Sequence, residues 1–215
     1  MPKILTPSDV LQFRQKLCDL ALKAFAEHGV EGVSLRGLAE AAGCSRTTPY
    51  RYFKDKAEIL AAVRQAEFKR IADSAEKAAR GEPNAERRLF ALARAYINDA
   101  LKRPEAYRLM YSFSQKEEHL YPDLVREIQR SQQPMVRAVD DALATGAIQG
   151  DPINIVYVLW AGLHGIISLH LSDKLHMGRD IEELSEVMIR SLGRAVASEP
   201  LALAATRRAP EAHTS

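Results

Sequence analysis

Metal-binding and redox signatures are missing from this sequence. Cys18 and Cys44 are the only cysteines, fall in apolar helical patterns and have no metal-like pairing, which predicts two buried thiols in a reducing compartment. His164, His170 and His176 stand six apart, so they do not form the i, i+4 pair that a helical metal site requires. There is no Walker loop, dinucleotide fingerprint or nucleophile elbow, so no catalytic residue, cofactor or metal is expected. The opening MPKILTPSDV has no apolar h-region and predicts no signal peptide. β-Alternation is lacking too, and apolar residues recur with helical period. One long run lacks charge: the 21 residues between Asp151 and Asp173 hold no Asp, Glu, Lys or Arg, enough to span a bilayer. Asn154, His164, Ser168, His170 and Ser172 interrupt it, which favours a soluble helix buried by neighbours on several sides.

What is present is a chain of 215 residues, 47% hydrophobic, which can bury a sizeable core in one or two domains. Its charge is uneven. Residues 1–80 carry 14 Lys/Arg against 10 Asp/Glu, and residues 81–215 carry 16 against 18. Arg46 to Lys56 alone holds four cations against Asp55. Such a patch supplies sequence-independent affinity for a polyanion, whether DNA or an anionic membrane surface.

The patch adjoins LRGLAEAAGCSRTTPYRY, residues 35–52. Leu35 and Leu38 lie one turn apart, Ala39 leaves room for close approach of a second helix, and Gly43 can take the positive φ that ends a helix. Cys44 is a small apolar plug, and Ser45 is a candidate N-cap for a second helix exposing Arg46, Thr47, Tyr50 and Arg51. This is the pattern of a helix-turn-helix, whose second helix reaches base edges in the major groove, although ordinary helical corners share part of it. Upstream, Leu22, Phe25 and Ala26 share a helical face, Gly29 ends that helix, and Ser34 caps the next. Downstream, Asp55 and Glu58 have capping-box spacing. Pro49 removes one N–H near the start of the reading helix and is expected to bend or stiffen it.

The run from about Leu17 to Val63 closely resembles the N-terminal DNA-binding domain of the TetR family of transcriptional regulators. AF-x-x-x-G, LAEAAG, the Y-R-Y-F box and the trailing lysine stand in the family's order and spacing. The resemblance implies that Arg46, Thr47, Thr48, Tyr50 and Tyr52 face DNA, that Lys56 meets a phosphate, and that Arg36 contacts the groove edge or a phosphate. Ser34 would bind phosphate as well as cap. Chemistry adds that Arg46 and Arg51 can donate two hydrogen bonds to guanine, while Thr47 and Thr48 offer hydroxyls and a methyl. Purely structural uses stay open: Thr48 at the helix start, Tyr52 beside Phe53, Arg51 as a solvated cation.

Beyond GEPN at residues 81–84, periodicity predicts helices over about Ala85–Lys102, Glu105–Gln115, Pro122–Ala144, Pro152–Ser172 and Ile181–Ser198. The tail from Pro200 to Ser215 reads as frayed or disordered. The resemblance implies that helices 152–172 and 181–198 form a four-helix interface with a second copy. Trp160, His164 and Gly165 also resemble the Trp-His-Gly signature of one C-terminal subclass. Tyr107, Met110, Tyr111 and Phe113 cluster on one helix, and with Trp160 and His164 they are candidates to wall a site for an apolar or aromatic small molecule; plain core is the alternative.

Together these readings predict an all-α protein in which residues 1–63 form a three-helix DNA-binding domain. A fourth helix of about 55–80 connects it to a ligand-binding and dimerisation domain of 81–199. The expected function is that of a cytoplasmic homodimeric repressor, released from a near-palindromic double-stranded operator by a small-molecule effector. The competing reading is a helical ligand-binding or membrane-associated protein that uses its basic patch on anionic lipid.

Overall fold

The computed structural model describes residues 6–111 and 118–197. Helix α1 (Pro7–His28) starts ten residues before the resemblance does, on a capping box. Thr6 Oγ1 accepts the Asp9 N–H at 3.1 Å, and Asp9 Oδ2 accepts the Thr6 N–H at 2.8 Å. It ends at Gly29. Its buried face is Leu17, Cys18, Ala21 and Phe25, with Leu22 only half-buried and Ala26 exposed, so the face is rotated from the one that the apolar spacing suggested. Burial pushes the Cys18 thiol up to about 11. Cys44, expected to be buried as well, is half-buried.

Helix α2 (Leu35–Ala42) and α3 (Lys56–Arg80) complete the N-terminal region. The first turns of α3 bring Ile59, Leu60 and Val63 against Leu17, Phe25, Leu38 and Phe53. Its later turns leave that core and run along the C-terminal helices, because apolar and alanine positions recur through Phe68 and Ala72 to Ala79.

The remaining helices named among the described residues are α4 (Ala85–Lys102), α5 (Pro104–Met110), α6 (Pro122–Ala144), α7 (Pro152–Leu171) and α8 (Ile181–Val196). Among the described residues there is no strand beyond one isolated bridge, Ile148 to Ala197, so the architecture is all-α as expected. Phe113, Gln115, Ser198 and the tail 200–215 lie outside the described residues.

The short α5 sits at a junction. Leu109 joins the N-terminal core, Met110 packs with Ala61, Phe68 and Leu124, and Tyr107 joins the core of α4, α7 and α8. Two groups on α3 grip its ends. Glu67, buried, takes a bidentate pair from Arg103 at 2.6 and 3.0 Å. Arg64, 1% exposed, donates to Met110 O at 2.8 Å and pairs with Glu118. Buried charges are tolerated when paired and hydrogen-bonded in this way.

Helix α7 departs from its expectation. Ile155, Leu159, Leu163, Ile166 and Ile167 are buried, but Ile153 (65% exposed), Tyr157 (60%), Val158 and Leu169 face outward. The described residues cover one side of this helix and not several. By length and composition α7 is the one helix, among the described residues, that could cross a membrane.

Candidate nucleic-acid interface

The segment between α2 and α3 is built from both ends inward. Ser34 Oγ caps α2 by accepting the Gly37 N–H at 3.2 Å. Gly43 closes that helix at φ +69°, ψ +36°, a left-handed conformation that strains other residues, and lets the Cys44 N–H return to Ala39 O at 3.0 Å. At the far end Asp55 Oδ1 caps α3 by accepting the Glu58 N–H at 2.8 Å. The return arm of this box is displaced by one residue, since Glu58 Oε2 accepts from Lys54 N–H at 2.6 Å.

The expected reading α-helix is not formed. Residues 45–53 instead make a turn and a three-residue 3-10 helix, Pro49–Arg51, with bonds from Thr48 N to Ser45 O, Arg51 N to Thr48 O and Tyr52 N to Pro49 O. Pro49 explains the difference. It has no N–H to return to Ser45 O, so the bond that would open an α-helix there cannot form, even though Thr48 before it keeps helical dihedrals of φ −58° and ψ −46°. The ring is nonetheless buried, filling the apolar place that the fold requires. Ser45 is likewise not a backbone cap: its hydroxyl bonds the Thr47 and Thr48 hydroxyls at 3.1 and 2.8 Å.

Burial of Pro49 and Phe53 fixes which side chains turn outward. Arg46, Thr47, Tyr50 (52% exposed) and Arg51 share the exposed surface with Ser34, Arg36 and Ser45. Thr48 and Lys56 are half-buried, and Tyr52 packs on Phe13 at 5.0 Å between ring centroids. Two cations are partnered: Arg46 lies 3.5 Å from Glu40, and Lys56 lies 3.0 Å from Glu31. These exposed pairs are weak and exchangeable for phosphate.

The second group of candidates converges less completely. Tyr107, Tyr111, Trp160 and His164 come together, whereas Met110 faces the other side of α5 toward Phe68 and Leu124. Their hub is Tyr96, which sequence reasoning missed because nothing local marks a residue 64 positions from Trp160. Its hydroxyl accepts from Trp160 Nε1 at 3.1 Å and bonds the hydroxyls of Tyr107 at 2.9 Å and Tyr111 at 2.8 Å. Tyr107 Oη reaches His164 Nδ1 at 2.6 Å, and His164 Nε2 lies 3.3 Å from Ser168 Oγ. Ser168 was legible in principle, four residues beyond His164 on one helix.

A neutral imidazole protonated on Nε2 satisfies both of its contacts, accepting from Tyr107 and donating to Ser168. Burial favours that state by holding His164 below its ordinary 6.5, and burial foremost raises all three tyrosines above the ordinary phenol range. An apolar cavity of about 40 Å³ lies elsewhere, between Leu89, Phe90, Ala93, Leu159, Ile189 and Leu192.

Residues 17–63 match the family described as bacterial regulatory proteins, tetR family, and residues 89–192 match the tetracyclin repressor-like C-terminal domain. The chain is 30% identical over 186 residues to the HTH-type transcriptional repressor AcnR of Corynebacterium efficiens, across 81% of this chain and 88% of that protein. A solved structure from Rhodococcus sp. RHA1, described as a protein with unknown function, is similar at TM-score 0.74 and 32% identity, covering 86% of this chain and 95% of that one. A TetR family transcription regulator from Marinobacter aquaeolei VT8 shares the fold at TM-score 0.71 and 22% identity, covering 86% and 96%.

Proposed function

The chain belongs to the TetR family of bacterial regulatory proteins, transcriptional regulators rather than enzymes, and from that premise we propose that it is a homodimeric, cytoplasmic repressor released from a near-palindromic operator by a small-molecule effector. The observation that carries the DNA-reading part is the outward presentation of Arg46, Thr47, Tyr50 and Arg51 from a segment pinned by buried Pro49 and Phe53. Arg46 and Arg51 read base edges. Ser34, Arg36, Tyr50 and Lys56 bind phosphates and set register, and Ser45, Thr47, Thr48 and Tyr52 support or extend these contacts.

Residues 1–63 form the reading domain in this proposal, α3 connects, and residues 81–199 bind effector and dimerise. The repressor named above as a relative supports the sign of regulation. Dimerisation through α7 and α8 would cover Ile153, Tyr157, Val158 and Leu169, a surface that is costly to leave in water. It would space two reading segments by about one DNA turn, roughly 34–36 Å. The effector, apolar or aromatic, would meet Tyr107, Tyr111, Trp160 and His164 and favour a dimer of different spacing.

The test is selection of genomic fragments by the purified full chain, followed by fluorescence anisotropy against the enriched duplex and a scrambled one. Arg46→Ala with Tyr50→Ala is expected to abolish the preference. Binding that follows total charge on both duplexes and on anionic vesicles alike would sink the proposal and restore the lipid reading.

A further inference from the structure

Pro49 leaves the recognition segment short of bonds of its own. Its 3-10 helix has three residues and no side-chain cap, and such short helices hold weakly in isolation. A reading element must be held to within about 0.5 Å, which falls to its supporting residues. Here the support comes from the start of α1, ahead of Leu17.

Arg14 Nη1 donates to Tyr52 O, the carbonyl at the end of the segment, at 2.5 Å. Its guanidinium carbon lies 4.1 Å from the Phe53 ring centroid, within cation–π range. Its Nη2 stands 3.7 Å from Glu58 Oε1, whose other oxygen already takes the Lys54 N–H. One planar side chain therefore ties α1, the end of the recognition segment and the start of α3 together. Phe13 adds its ring to Tyr52, and Lys16 Nζ donates to Ala42 O at 2.9 Å, closing the C-terminal end of α2 in the same manner.

We infer that Arg14 is a positioning residue for sequence reading: it fixes the pose of residues 46–51 through Tyr52 and Phe53 and does not itself bind DNA. This rests on the proposal that those residues read DNA. With one edge on a carbonyl, its face on a ring and its other edge toward a carboxylate, the guanidinium is engaged on three sides by the protein itself. Losing it removes no phosphate contact but frees the segment.

The experiment compares full-length wild type, Arg14→Ala and Arg14→Lys. Anisotropy over a range of salt uses the duplex that wild type enriches from a random library and a scrambled duplex, and amide hydrogen exchange is followed on the free proteins. Arg14→Ala is expected to lose about tenfold or more on the enriched duplex, equivalent to about 1.4 kcal/mol, and little on the scrambled one, with an unchanged salt slope. Exchange should quicken at Arg51–Phe53 while α2 and the melting temperature hold. Arg14→Lys, which keeps a donor for Tyr52 O, should recover part of the preference.

Equal loss on both duplexes with a salt slope shallower by about one would make Arg14 a phosphate ligand and overturn the inference. Faster exchange throughout the N-terminal core with a lower melting temperature would make it merely structural, and an unaltered preference would remove any role. A wild type that prefers no duplex fails the DNA-reading proposal itself, and this inference falls with it.

Discussion

The recognition segment and the tyrosine cluster are both irregular polar sites on a helical frame, and their hydrogen-bonding groups are satisfied in opposite ways. Arg46, Thr47, Tyr50 and Arg51 point into solvent, while the backbone behind them is held by a buried proline, a buried phenylalanine and a cation from another helix. Tyr96, Tyr107, Tyr111, Trp160 and His164 turn their polar atoms on one another and on Ser168. The first site leaves its polar groups free for a partner; the second is closed on itself, and under the proposed function an effector would have to replace hydrogen bonds whose loss in a buried setting costs about 1–3 kcal/mol each.

That contrast can be broken most severely at its anchor. Phe53→Ala should cost about 3–5 kcal/mol in denaturant unfolding, because a 1% exposed ring leaves a cavity under the reading segment. Next, Arg46→Ala should weaken binding to the selected duplex by about 1–3 kcal/mol and relax preference at one base position, read by anisotropy on single-base variants, with unfolding midpoints unmoved. Tyr96→Phe is the counterpart at the closed site. Loss of the hub hydroxyl should lower stability by about 1 kcal/mol while affinity for DNA stays unchanged in the absence of ligand.

A smaller effect separates the two sites by pH. His164 has a folded pKa below 6.5, so the unfolded chain takes up more protons as pH falls through about 6.5. Its contribution is complete above that value and is lost as pH drops toward the folded pKa. Urea unfolding at about pH 7.5 and about pH 5.5 should show the loss, and His164→Gln should reduce it. The smallest change is Glu40→Gln. Freeing Arg46 should leave stability within about 0.5 kcal/mol and slightly raise DNA affinity at low salt.

Legibility in the sequence follows the same divide. Ser34, Gly43, Asp55 and Gly29 cap and terminate as read, because capping is local chemistry within about four residues. Pro49 is legible as a missing donor, and in so short an element one absent N–H is enough to leave 3-10 in place of α geometry. The tyrosine cluster was half legible. Tyr107 and Tyr111 lie one turn apart and Trp160 and His164 another, yet Tyr96 enters from a third helix that no spacing rule connects to them. Met110 shares the short α5 with Tyr107, but that helix is sandwiched, so adjacent residues serve different cores. The charge-free run is legible as a helix, whereas its number of neighbours is not a property of its own residues.

Leu109 carries a consequence for how this protein can be taken apart. It completes the N-terminal core from α5, beyond the end of α3. A fragment cut after residue 80 would retain every side chain proposed to face DNA and yet lack one residue of the core beneath them. The N-terminal region is therefore not self-contained: grafted onto a foreign effector domain, it would need an apolar side chain supplied where Leu109 stands to close its core.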